Sequence, residues 1–265
     1  MIGGFTMIFE KDILADLHTH TTFSGHAYST LKENIDELSK YGYYKYIAVT
    51  DHFYEGVNTL DEKNINCRLN YCKDRFNRFE LGVSVINGCE FNIGQYTDAM
   101  KYLKNLDWKL VGLHNWFFDI TKRNLKEVEE EIMFALSLPD FRISALAHIE
   151  REIHKINNGK VGAELTDEVK KFLDNIVHFC KDSGIYMEVN ESSIVYNEGG
   201  AVGRLVYWLN KAKENKNMIS LGTDAHSCYE VGRFDNVLCL LNEIEYPKDL
   251  IINCDNDKLL ELKNN

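Results

Sequence analysis

Nine histidines occur in this chain, and seven of them fall in a pattern suited to metal chemistry. His18 and His20 form an H-x-H pair, and Asp224 and His226 repeat that spacing near the other end. In an extended strand residues i and i+2 share a face, so each pair can serve one ion or two neighbouring ions. His52 follows Asp51, Glu90 follows Cys89, and His114 and His148 each close a short apolar run. His26 lies too far along to share the strand of His18 and needs a turn, which Ser24-Gly25 supplies. Only His154 and His178 stand apart. Imidazole nitrogen and carboxylate oxygen without thiolate suit Zn²⁺, Mn²⁺ or Fe²⁺. A catalytic zinc takes about three protein ligands and keeps one position open. Nine ligand-type residues are too many for one ion and enough for two or three.

These residues need elements to carry them to one place. Apolar β-type runs lie at 13–18, 46–52, 83–90, 110–114, 143–148, 185–190 and 218–224, with a weaker eighth at 250–253. Helical patterns fill the intervals. Thr30-Leu31-Lys32-Glu33 reads as a capping box, followed by Leu31, Ile35, Leu38 and Tyr41 on one face and Gly42 as a stop. Thr166 opens a second helix that Gly184 ends, and 125–138 forms a third, ended by Pro139. Strand–helix alternation implies a parallel sheet. Seven or eight such units suit a closed barrel, whose reactive groups gather at the C-terminal strand ends. Every run stops on a ligand-type or hydrogen-bonding residue: His18, His52, Glu90, His114, His148, Asn190 and Asp224. A lone buried histidine is more often core packing than a ligand, but packing does not put seven on one rim.

The whole chain, 1–265, is expected to form one domain: two prolines and no Gly/Ser-rich linker interrupt it. A net charge of −11 without a Lys/Arg stripe argues against general nucleic-acid or anionic-membrane binding. The N-terminus lacks a basic region, and no apolar run reaches the ~18 residues of a membrane span. Seven cysteines, an odd number with no C-x-x-C, argue against a disulfide framework and a zinc ribbon. A reduced cytoplasmic protein is the expectation.

The ordered set Asp16-Leu17-His18-Thr19-His20, Ser24-Gly25-His26, Thr50-Asp51-His52, Glu90, His114, His148 and Gly222-Thr223-Asp224-Ala225-His226 resembles the PHP (polymerase and histidinol phosphatase) family. The resemblance spans residues 14–230. It implies a distorted seven-stranded β/α barrel of the TIM-like type with a trinuclear metal centre. Carried over position by position, His18, His20, Glu90 and Asp224 would hold a first ion. Glu90 would bridge to a second, completed by His114 and His148, and His26, His52 and His226 would hold a third. Departures fall on two loops: His148 runs into Ile149-Glu150-Arg151 rather than a proline or glycine turn, and Phe53-Tyr54-Glu55-Gly56 lacks an expected proline.

The activity expected is hydrolysis of a small phosphomonoester, with Glu90 and Asp224 holding the ions that activate water. The family resemblance implies histidinol phosphate as one candidate substrate. Asp16 and Asp51 are candidates to orient imidazoles. Asn190, Arg151 and Arg233 are candidates to bind substrate. Phe53, Tyr54, Trp116, Phe117, Phe118 and Tyr196 could shape a pocket for a ring-bearing substrate or simply pack the loops. Three rival functions share parts of this pattern. An amidohydrolase-type enzyme would carry a bridging lysine at a strand end, where His114 stands. A nuclease-like phosphodiesterase and a non-catalytic metal-binding domain are the second and third.

Overall fold

A computed structural model describes residues 6–53, 82–94, 106–114, 118–139 and 144–264. The expectations at Tyr54, Trp116, Phe117, Cys67 and Cys72 lie outside them. Seven strands pair in parallel, in chain order: β1 (Ala15–Thr19), β2 (Tyr46–Val49), β3 (Ser84–Asn92), β4 (Trp108–Gly112), β5 (Ser144–Ala147), β6 (Tyr186–Asn190) and β7 (Ile219–Gly222). The described α-helices begin with α1 (Leu31–Ser39), α2 (Leu125–Ser137), α3 (Ile149–Glu152) and α4 (Asp167–Ser183). They continue with α5 (Glu191–Tyr196), α6 (Ala201–Asn215), α7 (Asp235–Glu243) and α8 (Asn256–Asn264).

Local chemistry sets the boundaries. The Thr30 hydroxyl caps α1 at Glu33 N while Glu33 returns a bond to Thr30 N. Asn124 and Glu127 do the same for α2. Thr166 caps α4, and Gly184, at φ 69°, ends it in the left-handed region that glycine tolerates. All three expected helices are therefore present.

Strand residues divide by parity. Ala15, Leu17, Ala48, Ile86, Trp108 and Leu110 pack inside the barrel with Leu259 and Leu262 of α8, which plugs its lower end. Alternate residues, such as Ile47, Val85, Leu146 and Met187, pack outward with Ile35, Ile132 and Leu173 of the helices. A register shift between Asp16 and Thr19 interrupts β1. Odd residues of β1 point inward before the shift, and His18 and His20 reach inward after it.

The barrel is nearly closed. Near the upper rim, Asp224 N donates to His18 O (2.8 Å) and His20 N to Ala225 O (2.9 Å). Lower down, the weak eighth run forms only a bridge, Ile219 to Ile251, and a 3-10 turn. There the fully buried Asn253 side chain takes the place of a strand. Its Oδ1 accepts from Leu221 N (2.7 Å), and its Nδ2 donates to Leu221 O (2.8 Å) and Ala15 O (2.9 Å). Its own carbonyl accepts from Leu14 N (2.8 Å). No helix among the described residues is long and apolar enough to cross a membrane. The described cysteines, Cys89, Cys180, Cys228, Cys239 and Cys254, are free thiols.

Asn253→Ala would strand two carbonyls and an amide in the seam. Each buried unsatisfied group costs about 1–3 kcal/mol, so a loss of about 3 kcal/mol or more is expected, read as a lower urea midpoint at unchanged m-value.

Candidate metal centre

The C-terminal strand ends bring the expected side chains to one mouth. Glu90, buried at the end of β3, is their centre. Its Oε1 lies 2.8 Å from His114 Nε2 and 2.8 Å from His148 Nε2. Its Oε2 lies 3.0 Å from His52 Nδ1 and 3.4 Å from both His18 Nε2 and His20 Nε2. Asp224 Oδ1 stands 3.1 Å from His20 Nε2 and 3.5 Å from His18 Nε2. The rings of His26 and His226 are 4.6 Å apart, and that of His226 is 4.5 Å from His20.

Four groups of three place their ligand atoms within 4.8 Å of one another. They are His18, His20 and Glu90; His18, His148 and Asp224; His52, Glu90 and His114; and His20, His52 and His226. His26 stacks beside the last group, 5.1 Å from the His52 ring, and His20 takes the place expected for it there.

Partners behind the imidazoles fix their tautomers. His18 Nδ1 donates to Glu188 Oε1 at 2.6 Å. His20 Nδ1 donates to Ser24 Oγ (2.9 Å), whose own proton goes to Asp51 Oδ1 (2.8 Å). His26 and His226 donate from Nδ1 to Ser24 O (2.9 Å) and Asp224 O (2.8 Å). In all four this makes Nε2 the nitrogen that can face an ion. Donors of this kind, nitrogen and oxygen without thiolate, fit divalent metal. Cys89 is no ligand here: its Sγ contacts Asp51 O. Glu90 Oε2 adds a second sign of fit. It is buried and makes no hydrogen bond among the described residues, although three imidazole nitrogens lie within 3.4 Å.

Close approach depends on two glycines. A Cβ on Gly112 would stand 2.7 Å from His114 Nε2 and 3.0 Å from Glu90 Oε1. One on Gly222 would stand 2.3 Å from His18 Cβ and 2.4 Å from Glu188 Oε1. His148 (φ 29°) and Asp224 (φ 57°) take left-handed backbone that non-glycine residues rarely adopt.

Burial would raise the Glu90 carboxyl, but His52, His114 and His18 outweigh it and hold it well below the usual range. Asp224 is held low in the same way, against burial, by His18 and His20. Burial opposes a charge on His18, yet Glu188, Asp224 and Glu90 hold its pKa well above the ordinary value. Burial lowers His20, and it pushes His52 down to about 3. Two carboxylates thus stay ionised, while the imidazoles differ: burial lowers His20 and His52, and nearby carboxylates raise His18 and His148 against burial.

Three expectations need correction. Asp16 does not orient an imidazole. The shift in β1 turns it outward, where it accepts from Thr223 Oγ1 (2.6 Å), Thr223 N (3.1 Å) and Gly232 N (3.0 Å). Asn190 is fully buried and turned to structure: its Oδ1 caps α5 at Ser193 N (3.0 Å), and its Nδ2 donates to Glu188 Oε2 (3.2 Å). Arg233 is exposed on the turn after β7, and no hydrogen bond or ion pair among the described residues joins its side chain to the cluster. Arg151 does reach the site, with Nη1 2.8 Å from Asp224 Oδ2. Phe53 and Phe118 are packing residues, against Phe91 and the core, while Tyr196 is exposed. The residue that sequence reasoning missed is Glu188. An inward-parity carboxylate two positions before Asn190 was the available signal.

Glu188→Ala should weaken zinc binding about 10–100-fold, the usual cost of losing a carboxylate behind a ligating imidazole. Glu188→Gln keeps an acceptor without the charge and should fall between. Competition with a chromogenic chelator measures both.

Comparison with known proteins agrees with this geometry. The family model of the PHP domain matches residues 16–192, from β1 to the start of α5. A protein of Clostridium novyi (strain NT), called a probable phosphatase, is 31% identical over 249 residues, covering 92% of both chains. A probable phosphatase of Clostridium botulinum (strain Langeland) is 31% identical over 262 residues, 95% of both. Those spans take in the β7 end, which the family model does not reach. Histidinol phosphate phosphatase of Lactococcus lactis, solved with zinc, L-histidinol and phosphate, has the same fold. Its TM-score is 0.61 at 15% identity, covering 90% of this chain and 94% of that one. With the PHP domain model matched over residues 16–192 and relatives 31% identical along nearly their whole length, the chain belongs to the PHP domain family.

Proposed function

We propose that this protein hydrolyses a small phosphomonoester at a centre of three divalent ions. The observation that carries the reading is Glu90, a buried carboxylate ringed by five imidazole nitrogens within 3.4 Å. His18, His20, Glu90 and Asp224 would hold one ion. Glu90, His114 and His148 would hold a second, and His52 and His226, with His20 or His26, a third. Zinc, manganese and iron(II) all suit these donors. Bound there, such ions would acidify water and stabilise charge on the phosphoryl oxygens.

The chain's own groups do the rest. Glu90 and Asp224 are kept ionised, so they hold cations at neutral pH without competing for protons. Glu188 and the Ser24–Asp51 pair keep the His18 and His20 rings aimed inward. Arg151 brings a guanidinium to the mouth in contact with the cluster, and its side chain is one-fifth exposed. That guanidinium would be placed to meet a phosphoryl oxygen and fix the substrate's orientation. A phosphoryl group suits a pocket whose positive charge is set in an acidic chain of net charge −11. Histidinol phosphate, the substrate class named for the Lactococcus lactis neighbour, is one compound to assay.

Chelation should abolish phosphate release from a monoester panel, and zinc or manganese should restore it. Turnover persisting in demonstrably metal-free protein would refute the reading. A preference for diesters would favour a nuclease-like phosphodiesterase instead. Arg151→Ala should lower kcat/KM about 10–100-fold, chiefly through KM, since a charge-assisted contact contributes about 1.5–3 kcal/mol.

A further inference from the structure

We infer that Arg204 and His154, neither of which reaches the mouth, form a clasp that positions Arg151 there and so sets how tightly the substrate's phosphoryl group is held. This rests on Arg151 being the guanidinium that meets that group.

Arg204 lies on α6 and is fully buried. A guanidinium is costly to bury, and this one gives every hydrogen bond it makes among the described residues to a main-chain carbonyl. Its Nε and Nη2 both donate to Glu150 O (2.9 and 2.7 Å), and its Nη1 donates to Gly199 O (2.8 Å) and Ala163 O (3.1 Å). The Glu150 carbonyl belongs to the peptide unit whose N–H is that of Arg151, and that N–H donates to His148 O (3.1 Å). The next peptide unit is held as well, because Arg151 O accepts from His154 Nδ1 (2.7 Å). The His154 ring is seated on Gly199: a Cβ there would stand 2.2 Å from its Cγ and 2.4 Å from its Nδ1. The contacts close on themselves. They run from Arg204 to Glu150 O, along the backbone to Arg151 O, through His154 to Gly199, and from Gly199 O back to Arg204.

The two histidines outside the ligand pattern therefore differ. His178 Nδ1 bonds within its own helix, to Asp174 O (2.6 Å), whereas His154 ties Arg151 to a segment 45 residues further along the chain. A single turn such as α3 does not stand alone, so the orientation of Arg151 comes from these outside contacts. At the mouth its side chain is held lightly. Nη1 meets Asp224 Oδ2 at 2.8 Å, and the buried Nε has no hydrogen-bond partner among the described residues. A long side chain magnifies a small rotation of its peptide, and a misplacement of about 1 Å at a positioning group can cost about 100-fold.

His154→Phe keeps a ring on Gly199 and loses the Nδ1 donor. In zinc-loaded protein it should weaken the binding of inorganic phosphate, measured by titration calorimetry, by about 3–10-fold, the reach of one lost hydrogen bond. KM for p-nitrophenyl phosphate should rise by the same factor with kcat nearly unchanged, and zinc per chain should stay the same. His154→Asn returns a donor near the Nδ1 position and should recover most of the loss. The deciding measurement is the double variant: in Arg151→Ala protein, His154→Phe should have no further effect on phosphate. Equal weakening in both backgrounds would mark a general structural role and overturn the inference. Loss of zinc would overturn it too, by moving the effect to His148. If His154→Phe does not fold, Gly199→Ala, whose Cβ would enter the ring, should show the same dependence on Arg151. Phosphate binding that responds to Arg151→Ala but not to His154→Phe would sink the clasp alone. Binding indifferent to Arg151→Ala would sink the role of Arg151 and the clasp with it.

Discussion

Everything at the mouth of this barrel follows from two buried carboxylates that must stay ionised. Burial alone would protonate Glu90 and Asp224, and a buried unpaired charge is not tolerated. The chain answers by turning imidazole nitrogens and one guanidinium toward them. That answer is incomplete without further positive charge. His20 and His52 are driven neutral by burial, so their nitrogens offer lone pairs rather than protons to the same carboxylates. Lone pairs and carboxylate oxygens facing one another are mutually repulsive until a cation stands among them. The proton held on His18 is a partial substitute, and it is the charge that a metal ion would displace.

The fold supplies the convergence at little cost in complexity. Parallel strands in chain order deliver one chemical group per strand end, so residues as far apart as His18 and Asp224 come within 3.5 Å. An eighth strand is dispensable because Asn253 satisfies both edges of the gap with one side chain. Above it, the seam between β1 and β7 is closed by the backbone of the ligand segments themselves. Barrel closure and the placement of His18, His20 and Asp224 are therefore one set of hydrogen bonds.

The strand order, the three main helices and the gathering of the nine candidate side chains at one mouth were legible because each depends on local rules: apolar runs, caps and the residue that ends a run. The misreadings arise where a tertiary event overrides the local rule. The two-residue alternation that would aim Asp16 with His18 holds only for an unbroken strand, and the shift in β1 breaks it between them. Asn190 ends its strand as the other site residues do, but it also begins α5, and its capping side chain is fully buried. Glu188 was within reach of parity, since it faces inward with Asn190, but its role depends on a histidine 170 residues away. Arg151 and Arg233 were equal candidates by sequence. Only the turn of α3 brings the first back over the mouth, while the second rides on an exposed loop.

Backbone strain marks the same residues. His148 and Asp224 must each leave a strand and still send a side chain back over the barrel axis. Extended backbone would carry the next side chain up and away, and left-handed backbone reverses it within one residue. For a residue with a Cβ this conformation costs about 1–3 kcal/mol and persists only where surrounding contacts over-determine it. At Asp224 those contacts are visible. Its N–H is held by His18 O, and the preceding Thr223 is clamped by both oxygens of Asp16. The outward turn of Asp16 thus has a use that its sequence position did not reveal. It cannot orient an imidazole, but it anchors the strained turn that presents the second carboxylate. Burial lifts its own pKa to about 6, so even the anchor is a buried acid stabilised mainly by the hydrogen bonds it receives. A glycine at 224 would ease the backbone but remove the carboxylate, whereas aspartate is among the side-chain-bearing residues that reach this conformation most readily.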